Sequence, residues 1–186
     1  MASVVYFTMC SLDGYVSDRE GSFAWAAPDD EVHAFANEQE RTVGTHLFGR
    51  RMYEVMTFWE TAAADPDLSP VEREYAEIWA TADKVVYSRT LEAVSTARTR
   101  LERGFDPDAV RRLAEGAERD VTVGGPVLAA EALRASVVDE LQLLACPVVV
   151  GGGHPALPAD LRLDLELLEE RRFAGGAVFL RYAIRR

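Results

Sequence analysis

Short apolar runs rich in β-branched residues alternate with segments that carry helix-start signals along most of this sequence. Four such runs predict strands, at residues 3–9, 45–48, 83–87 and 121–123. Strands that alternate with helices favour parallel pairing, so the pattern predicts an α/β domain with a mixed, mostly parallel sheet flanked by helices. Two longer apolar runs, residues 140–150 and 177–184, flank residues 161–173 and predict an antiparallel edge near the C-terminus.

Helix boundaries are marked by capping residues and charge. Ser69, Pro70 and Glu72 form a capping box with proline at the first helical position. Asp106 and Pro107 mark another helix start by the same N-cap and proline logic. The predicted helices are residues 28–43, a segment that begins at residue 50, and residues 70–81, 107–119 and 126–135.

Composition limits the kind of partner that this chain can have. The 186 residues fit one domain, residues 1–186, without a repeat or linker. Acids outnumber bases 31 to 20, which argues against a nucleic-acid partner because phosphate backbones are bound by clustered Lys and Arg. The longest nearly apolar run, residues 141–150, is about half of the ~20 residues that a membrane helix needs, so we expect no membrane partner. Cys10 and Cys146 lack neighbours at metal-ligand spacing, and a reducing, cytoplasmic location fits best.

Three predicted strands end in residues suited to an anion. The ends are Gly49-Arg50-Arg51, Ser88-Arg89-Thr90 and Gly124-Gly125-Pro126, the last of which opens a helix. Ligands bind outside the carboxyl ends of strands in open α/β sheets, and a helix N-terminus offers free N–H donors to a phosphate. One anionic ligand across the three ends is therefore predicted. Taken singly, each element also has a purely structural explanation. The glycines are equally typical of a tight connection, and each arginine is equally typical of a solvated side chain.

Common alternative motifs are missing or misplaced. The glycine spacing of a Rossmann fingerprint occurs only at residues 151–156. Pro155 and Pro158 stand where a helix should start, so a turn is predicted instead. The sole lysine, Lys84, lies inside a strand, so there is no phosphate-binding P-loop, and the GxSxG turn of many hydrolases is absent. The three histidines are too scattered to predict a metal site.

Six motifs in order give the chain a resemblance to a known family. They are TMCSLDGYVSD, THLFGRRMYEVM, KVVYSRTL, VTVGGPVLAAEAL, VDELQLLACPVVVGGG and GAVFLRYAI. Together they resemble the dihydrofolate-reductase-like superfamily, and most of all the reductase domain of bifunctional riboflavin-biosynthesis proteins and its stand-alone relatives. The resemblance spans residues 2–184 and implies a sheet that binds NADPH across its strand ends.

The resemblance also implies roles for individual residues. Gly49 and Arg50 would lie by the cofactor phosphates, and Ser88 and Arg89 by the adenosine 2′-phosphate. Gly124, Gly125, Pro126 and Val127 would lie by the pyrophosphate. Pro126 stands where the family often has a small residue, so weaker phosphate contacts are expected because proline lacks an N–H.

The acceptor side is less defined by the sequence. The resemblance puts Asp13 and Trp25 near the substrate and nicotinamide, with Asp13 as the candidate catalytic residue. Glu31 is a candidate substrate-binding residue, and it is equally typical of a first-turn helix charge. Asp13 is equally typical of a turn.

The resulting expectation is an NADPH-dependent reductase of a small nitrogen heterocycle. A 5-amino-6-(5-phosphoribosylamino)uracil reductase of the riboflavin type comes first. Dihydrofolate-reductase-like activity and a non-catalytic nucleotide-binding module are the alternatives. A homodimer is expected from the relatives, and no metal is expected.

Overall fold

Ten strands organise the protein, whose computed structural model describes residues 2–185. They are β1 (Val4–Ser11), β2 (Tyr15–Ser17), β3 (Val43–Gly49), β4 (Asp83–Tyr87), β5 (Thr99–Glu102), β6 (Asp120–Gly124), β7 (Glu140–Cys146), β8 (His154–Pro155), β9 (Leu165–Arg172) and β10 (Val178–Ile184). Eight of them form one sheet in the order β5-β4-β3-β6-β1-β7-β10-β9, and β2 pairs with β8 separately.

The sheet is parallel over its first six strands and antiparallel at one edge. β5, β4, β3, β6, β1 and β7 pair in parallel, whereas β10 is antiparallel to both β7 and β9. The predicted mixed, mostly parallel sheet with an antiparallel C-terminal edge is therefore confirmed.

Six helices flank this sheet. They are α1 (Asp30–Glu40), α2 (Arg50–Met56), α3 (Phe58–Ala62), α4 (Pro70–Thr81), α5 (Pro107–Glu115) and α6 (Pro126–Arg134), with a short 3-10 helix at Ala24–Ala26. The predicted capping box of α4 is present, since Ser69 N–H donates to Glu72 Oε2 at 2.8 Å and Ser69 Oγ accepts from Glu72 N–H.

Several predicted boundaries were too long. The helix predicted over residues 28–43 begins only after Asp29, which caps it, and Val43 is instead buried in β3. The helix predicted to residue 119 ends at Glu115, before Gly116. The strand predicted to residue 150 ends at Cys146, since Pro147 has no N–H to continue the ladder.

Four strands, β2, β5, β8 and β9, were not predicted from the sequence. β5 has the sequence TRLE, and β9, LELLEERR, is exposed along nearly its whole length, so neither shows a buried apolar pattern. Residues 151–156 were predicted as a turn. The glycines at 151–153 do have positive φ, but His154–Pro155 forms β8 and pairs with β2.

The core lies on both faces of the sheet. One face packs β-strand side chains such as Tyr6, Leu47 and Val123 against α5 and α6. The other face carries α1 over β7 and β10, and α2 and α4 over β3 and β4. With both faces covered, the loops at the carboxyl edge of the parallel strands are where a ligand can reach the sheet.

A buried carboxyl group lies beneath the second face, away from that edge. Glu40 Oε2 is 3.7 Å from His46 Nε2 and has no hydrogen-bond partner among residues 2–185. Burial raises the pKa of Glu40 to about 7. Burial, together with the charges of Lys84 and Arg119, lowers the pKa of His46 to about 3, so the pair is neutral and not an ion pair at mildly acidic pH.

Because the pKa of Glu40 is raised, we expect the free energy of unfolding to fall as the pH rises. Unfolded Glu40 releases its proton near pH 4.5, whereas the folded protein keeps it until about pH 7. Between those pH values the native state binds more protons than the unfolded state. The contribution of Glu40 to stability is therefore complete below pH 4.5 and decreases progressively as the pH rises to 7. Glu40→Gln should therefore equal the parent at pH 4.5 and exceed it at pH 8 by up to about 3 kcal/mol in urea unfolding.

The matched control is Glu38→Gln, an exposed carboxyl on the same helix. A difference between parent and Glu40→Gln that does not change with pH would contradict the raised pKa.

Candidate functional site

The three predicted ligand-binding strand ends lie side by side. β3 is between β4 and β6, and the registers put Gly49 opposite Tyr87 and Phe48 opposite Gly124. Gly49, Ser88 and Gly125 therefore follow neighbouring positions along one edge of the sheet. This is the edge that parallel strands share because they all run in one direction.

Direct contacts join these ends. Arg50 Nη1 donates to Thr90 Oγ1 at 3.0 Å, which links the β3 end to the β4 loop, and Arg50 Nε donates to Glu54 Oε1 at 2.8 Å. On the other side, Cβ atoms added at Gly49 and Gly125 would come within 3.8 Å of Leu128 and 3.1 Å of Met52, so α6 begins against α2. An open pocket lies over the β3 and β4 ends, lined by Arg50, Glu54, Thr90, Leu91, Glu92 and Ala93.

Ser88 and Arg89 have different environments. The buried Ser88 Oγ accepts hydrogen bonds from Thr90 N–H at 3.2 Å and Leu91 N–H at 3.0 Å. Arg103 donates from below to the carbonyls of Ser88 and Leu91, at 3.2 and 2.6 Å. Arg89 is exposed, and the described part of the chain gives its guanidinium no hydrogen bond or ion pair. Ser88 thus shapes the loop, whereas the Arg89 guanidinium is exposed to solvent.

Both glycines after β6 are required by the fold itself. A Cβ at Gly124 would lie 2.6 Å from two ring carbons of Phe48. Gly125 has φ +92°, in the region that favours glycine, and a Cβ there would press on Met52. The tight junction is therefore sufficient to explain the Gly-Gly pair, whether or not a ligand approaches it.

The first turn of α6 still presents donors at this edge. Gly125 is its N-cap without a side-chain hydrogen bond, and the ladder begins with Ala129 N–H donating to Gly125 O at 3.0 Å. The N–H groups of Val127 and Leu128 consequently lie outside the ladder, while Pro126 has none to offer. The Val127 side chain is 67% exposed, so the turn is open to solvent.

Asp13 lies after β1, where the structure uses it to join two loops. Its Oδ1 accepts from Val150 N–H at 3.1 Å and its Oδ2 from Gly151 N–H at 2.8 Å. A hydrogen bond from Ser11, reinforced by these backbone bonds, lowers the pKa of the Asp13 carboxyl. A general acid needs a pKa near the working pH, so this direction weighs against Asp13 as a proton donor.

Trp25 and Glu31 occupy the same edge further along. Trp25 is half-buried against the α1 cluster with Nε1 donating to Ser22 O at 3.2 Å. Glu31 Oε2 accepts from Ala174 N–H at 3.0 Å and so ties the first turn of α1 to the β9–β10 hairpin. Their substrate-binding roles remain predictions.

Two arginines that the sequence analysis did not single out also shape the site. Arg103 fixes the loop after β4, and Arg19 donates to Gly151 O at 3.0 Å beside the first loop. Their sequence separations leave no local signal that would have identified them. Within residues 2–185, no helix is long and apolar enough to cross a membrane, and no three His, Cys, Asp or Glu side chains are grouped to hold a metal.

Solved structures share this architecture from end to end. A putative riboflavin biosynthesis protein from Shewanella sp. PV-4 has a TM-score of 0.74 at 20% identity, covering 100% of both chains. A diaminohydroxyphosphoribosylaminopyrimidine deaminase/5-amino-6-(5-phosphoribosylamino)uracil reductase from Thermotoga maritima has a TM-score of 0.68 at 15% identity, over 99% of this chain and 57% of that one. Dihydrofolate reductase from Enterococcus faecalis, complexed with NADP(H), has a TM-score of 0.62 at 13% identity over 99% and 97% of the two chains. The fold is therefore dihydrofolate-reductase-like.

The sequence shows the family to which the chain belongs. The chain belongs to the family of RibD C-terminal domains, whose model matches residues 2–179. A curated relative, the uncharacterized protein YyaP of Bacillus subtilis (strain 168), is 26% identical over 176 residues, or 92% of this chain and 89% of that protein.

The junction after β6 gives a stability prediction. Gly125→Ala should lower the free energy of unfolding by about 1–3 kcal/mol, because alanine is strained at this φ and its methyl group meets Met52. Urea unfolding measures the loss.

Gly104→Ala is the control, since no atom lies within 4 Å of its added Cβ and its φ is unexceptional. Its stability should change by less than about 1 kcal/mol. Equal effects at the two positions would contradict the junction geometry.

Proposed function

We propose that this protein is an NADPH-dependent reductase of a small nitrogen heterocycle, acting in the cytoplasm. The observation that carries the proposal is the strand register that aligns Gly49, Ser88 and Gly125 along one edge. Membership in the RibD C-terminal domain family supports a reductase of the riboflavin type. The free, buried thiols of Cys10 and Cys146 support a reducing compartment.

The residues present fit the phosphates of NADPH chemically. Arg89, free of protein partners, would meet the 2′-phosphate, with Ser88 holding the loop that carries it. Arg50 and the backbone of Gly49 would lie by the phosphates. The free amides of Val127 and Leu128 at the start of α6 would receive the pyrophosphate, between Gly124, Gly125 and Pro126. Because Arg50 is paired with Glu54, the unpaired guanidinium of Arg89 and the amides of α6 would supply most of the attraction for a polyanion.

The acceptor would lie over the ends of β1 and β7. There the side chains of Leu12 and Val149 are 71% and 66% exposed, next to Asp13, with Trp25 and Glu31 further along the edge. Bound NADPH supplies the hydride. The chain's own part is to orient the acceptor ring against these apolar side chains and to keep the two ligands in contact.

The substrate proposed first is 5-amino-6-(5-phosphoribosylamino)uracil or a close analogue. The Thermotoga maritima neighbour is named for reduction of this compound. Dihydrofolate is the second candidate, supported by the fold of the Enterococcus faecalis neighbour. A non-catalytic nucleotide-binding module is the alternative of a different class, and it would bind NADPH without oxidising it in the presence of either acceptor.

Arg89→Ala provides the test of the cofactor site. The variant should bind NADPH about tenfold to a hundredfold more weakly, the loss expected for a charge-assisted bond of roughly 1.5–3 kcal/mol. Binding of NADH, which lacks the 2′-phosphate, should change by less than about twofold. Titration calorimetry with each cofactor measures both.

Arg162→Ala is the control, since Arg162 is an exposed arginine near the amino-terminal edge of the parallel strands. Equal losses for NADPH and NADH would remove the 2′-phosphate assignment. A parent protein that binds neither cofactor would overturn the proposed function.

We also propose that the protein forms a homodimer through β9. This strand is one of the two edges of the sheet, and its Leu165, Leu167 and Leu168 are 36%, 47% and 48% exposed. A twofold axis pairs an edge strand antiparallel with its own copy. The strand contains three Glu and two Arg, so its own net charge is only -1, although the whole chain carries -11. Two copies of the strand therefore repel each other only weakly.

The double variant Leu167→Glu/Leu168→Glu should convert the dimer to a monomer in sedimentation velocity, because four added charges would face each other across the axis. Val55→Glu, at an exposed apolar position on α2, should leave the dimer intact. A parent protein that sediments as a monomer would contradict the proposal.

A further inference from the structure

The loops after β1 and β7 are held together by a set of hydrogen bonds centred on one carboxylate. Leu12 N–H donates to Val148 O at 2.7 Å. The Asp13 carboxylate accepts from Val150 N–H at 3.1 Å and from Gly151 N–H at 2.8 Å. The two loops extend from adjacent parallel strands, with Ser11 opposite Cys146 in the register. They therefore stand side by side at the carboxyl edge.

We propose that Asp13 is a positioning residue, which fixes the loop of residues 147–153 against the loop of residues 11–14 and so sets the wall of the acceptor site. Its carboxylate is not the proton donor. The inference rests on the proposed function, because the acceptor site is part of that function.

The geometry commits both carboxylate oxygens to the backbone. Each oxygen accepts one N–H group, and the two donors belong to consecutive residues, which is the arrangement of a clamp. Two backbone N–H donors bind the charged carboxylate more strongly than the neutral carboxyl group, so they favour the ionised form. The carboxyl group therefore works in its ionised form, which has no proton to give.

The clamped loop needs such an anchor. Gly151, Gly152 and Gly153 have φ values of +73°, +140° and +143°, and a run of glycines loses much conformational entropy when it is ordered. Beyond the glycines, Ala156 N–H donates to Gly14 O at 2.9 Å, so the first loop contacts both ends of the run. Within the run, Arg19 donates to Gly151 O at 3.0 Å.

The clamp determines where the exposed apolar side chains stand. Leu12 directly precedes Asp13, and Val149 directly precedes the first clamped amide, so the carboxylate sets their spacing. These are the side chains that the proposed function puts against the acceptor ring. Releasing the loop would loosen the acceptor while the cofactor residues after β3, β4 and β6 keep their own supports.

The test compares Asp13→Ala, Asp13→Asn and the parent protein. Hydrogen exchange at the Val150 and Gly151 amides should accelerate about tenfold in Asp13→Ala, as expected when a hydrogen bond of about 1.5 kcal/mol is lost. Asp13→Asn should fall between the two, because its single amide oxygen can still accept one bond. Asp65→Asn, a turn carboxylate that accepts from Asp67 N–H far along the chain, is the control and should change neither amide.

Activity distinguishes positioning from a purely structural role and from proton transfer. With NADPH and 5-amino-6-(5-phosphoribosylamino)uracil or dihydrofolate, whichever the parent reduces, Asp13→Ala should raise the acceptor KM about tenfold, with NADPH affinity within about twofold of the parent. The pH profile of kcat should keep its shape in both variants, and Asp13→Asn should recover part of the KM loss.

Other results would overturn the inference. If hydrogen exchange at Val150 and Gly151 is unchanged in Asp13→Ala, Asp13 does not hold the loop. If exchange is faster but the acceptor KM is unchanged, the hydrogen bonds exist but have no role in the acceptor site. A kcat loss of about a hundredfold in Asp13→Asn together with loss of one limb of the pH profile would identify proton transfer instead. A parent that binds NADPH but reduces neither acceptor would overturn the positioning role and leave the cofactor assignment standing, whereas failure to bind NADPH overturns the proposed function itself.

Discussion

The parallel register of β4, β3, β6, β1 and β7 is the constraint on which the rest of this structure depends. Because these strands run in one direction and are covered by helices on both faces, their carboxyl ends open at a single edge. That edge brings together Gly49, Ser88 and Gly125 from distant parts of the chain. The same register puts Asp13 beside the β7 loop, at the other end of the edge.

The edge has two chemically different halves. Over β3 and β4 it carries the guanidinium groups of Arg50 and Arg89, and next to β6 it offers the free amides of α6. Over β1 and β7 it carries exposed apolar side chains and a carboxylate already engaged by backbone donors. In the proposed reductase, the first half would hold the phosphates of the cofactor and the second half would hold the acceptor ring.

The structural features predicted correctly from the sequence are those that depend on interactions between residues close together in the chain. The capping box at Ser69, the prolines that open α4, α5 and α6, and the bounds of β4 were predictable because they depend on neighbours within a few residues. β5 and β9 were missed because edge strands bury little and so carry no alternating apolar pattern. Gly124 and Gly125 were noticed for a ligand, yet the ring of Phe48 and a positive φ are enough to require them. That explanation needs the packing of β3 against β6, which no local pattern encodes.

By itself the sequence determined the fold class, the parallel sheet and the three strand ends that face one edge, because alternation of apolar runs and helix caps is a local property. It also determined the family, through six motifs in order. Only the tertiary structure decided what individual side chains do there. It left Arg89 free, committed Ser88 to its own loop, tied Glu31 to the β9–β10 hairpin and occupied both oxygens of Asp13. The physical reason is that the hydrogen bonds of Asp13 with Val150 and of Glu31 with Ala174 join residues 137 and 143 positions apart. Such bonds form only once the strands have paired, so no local sequence pattern predicts them.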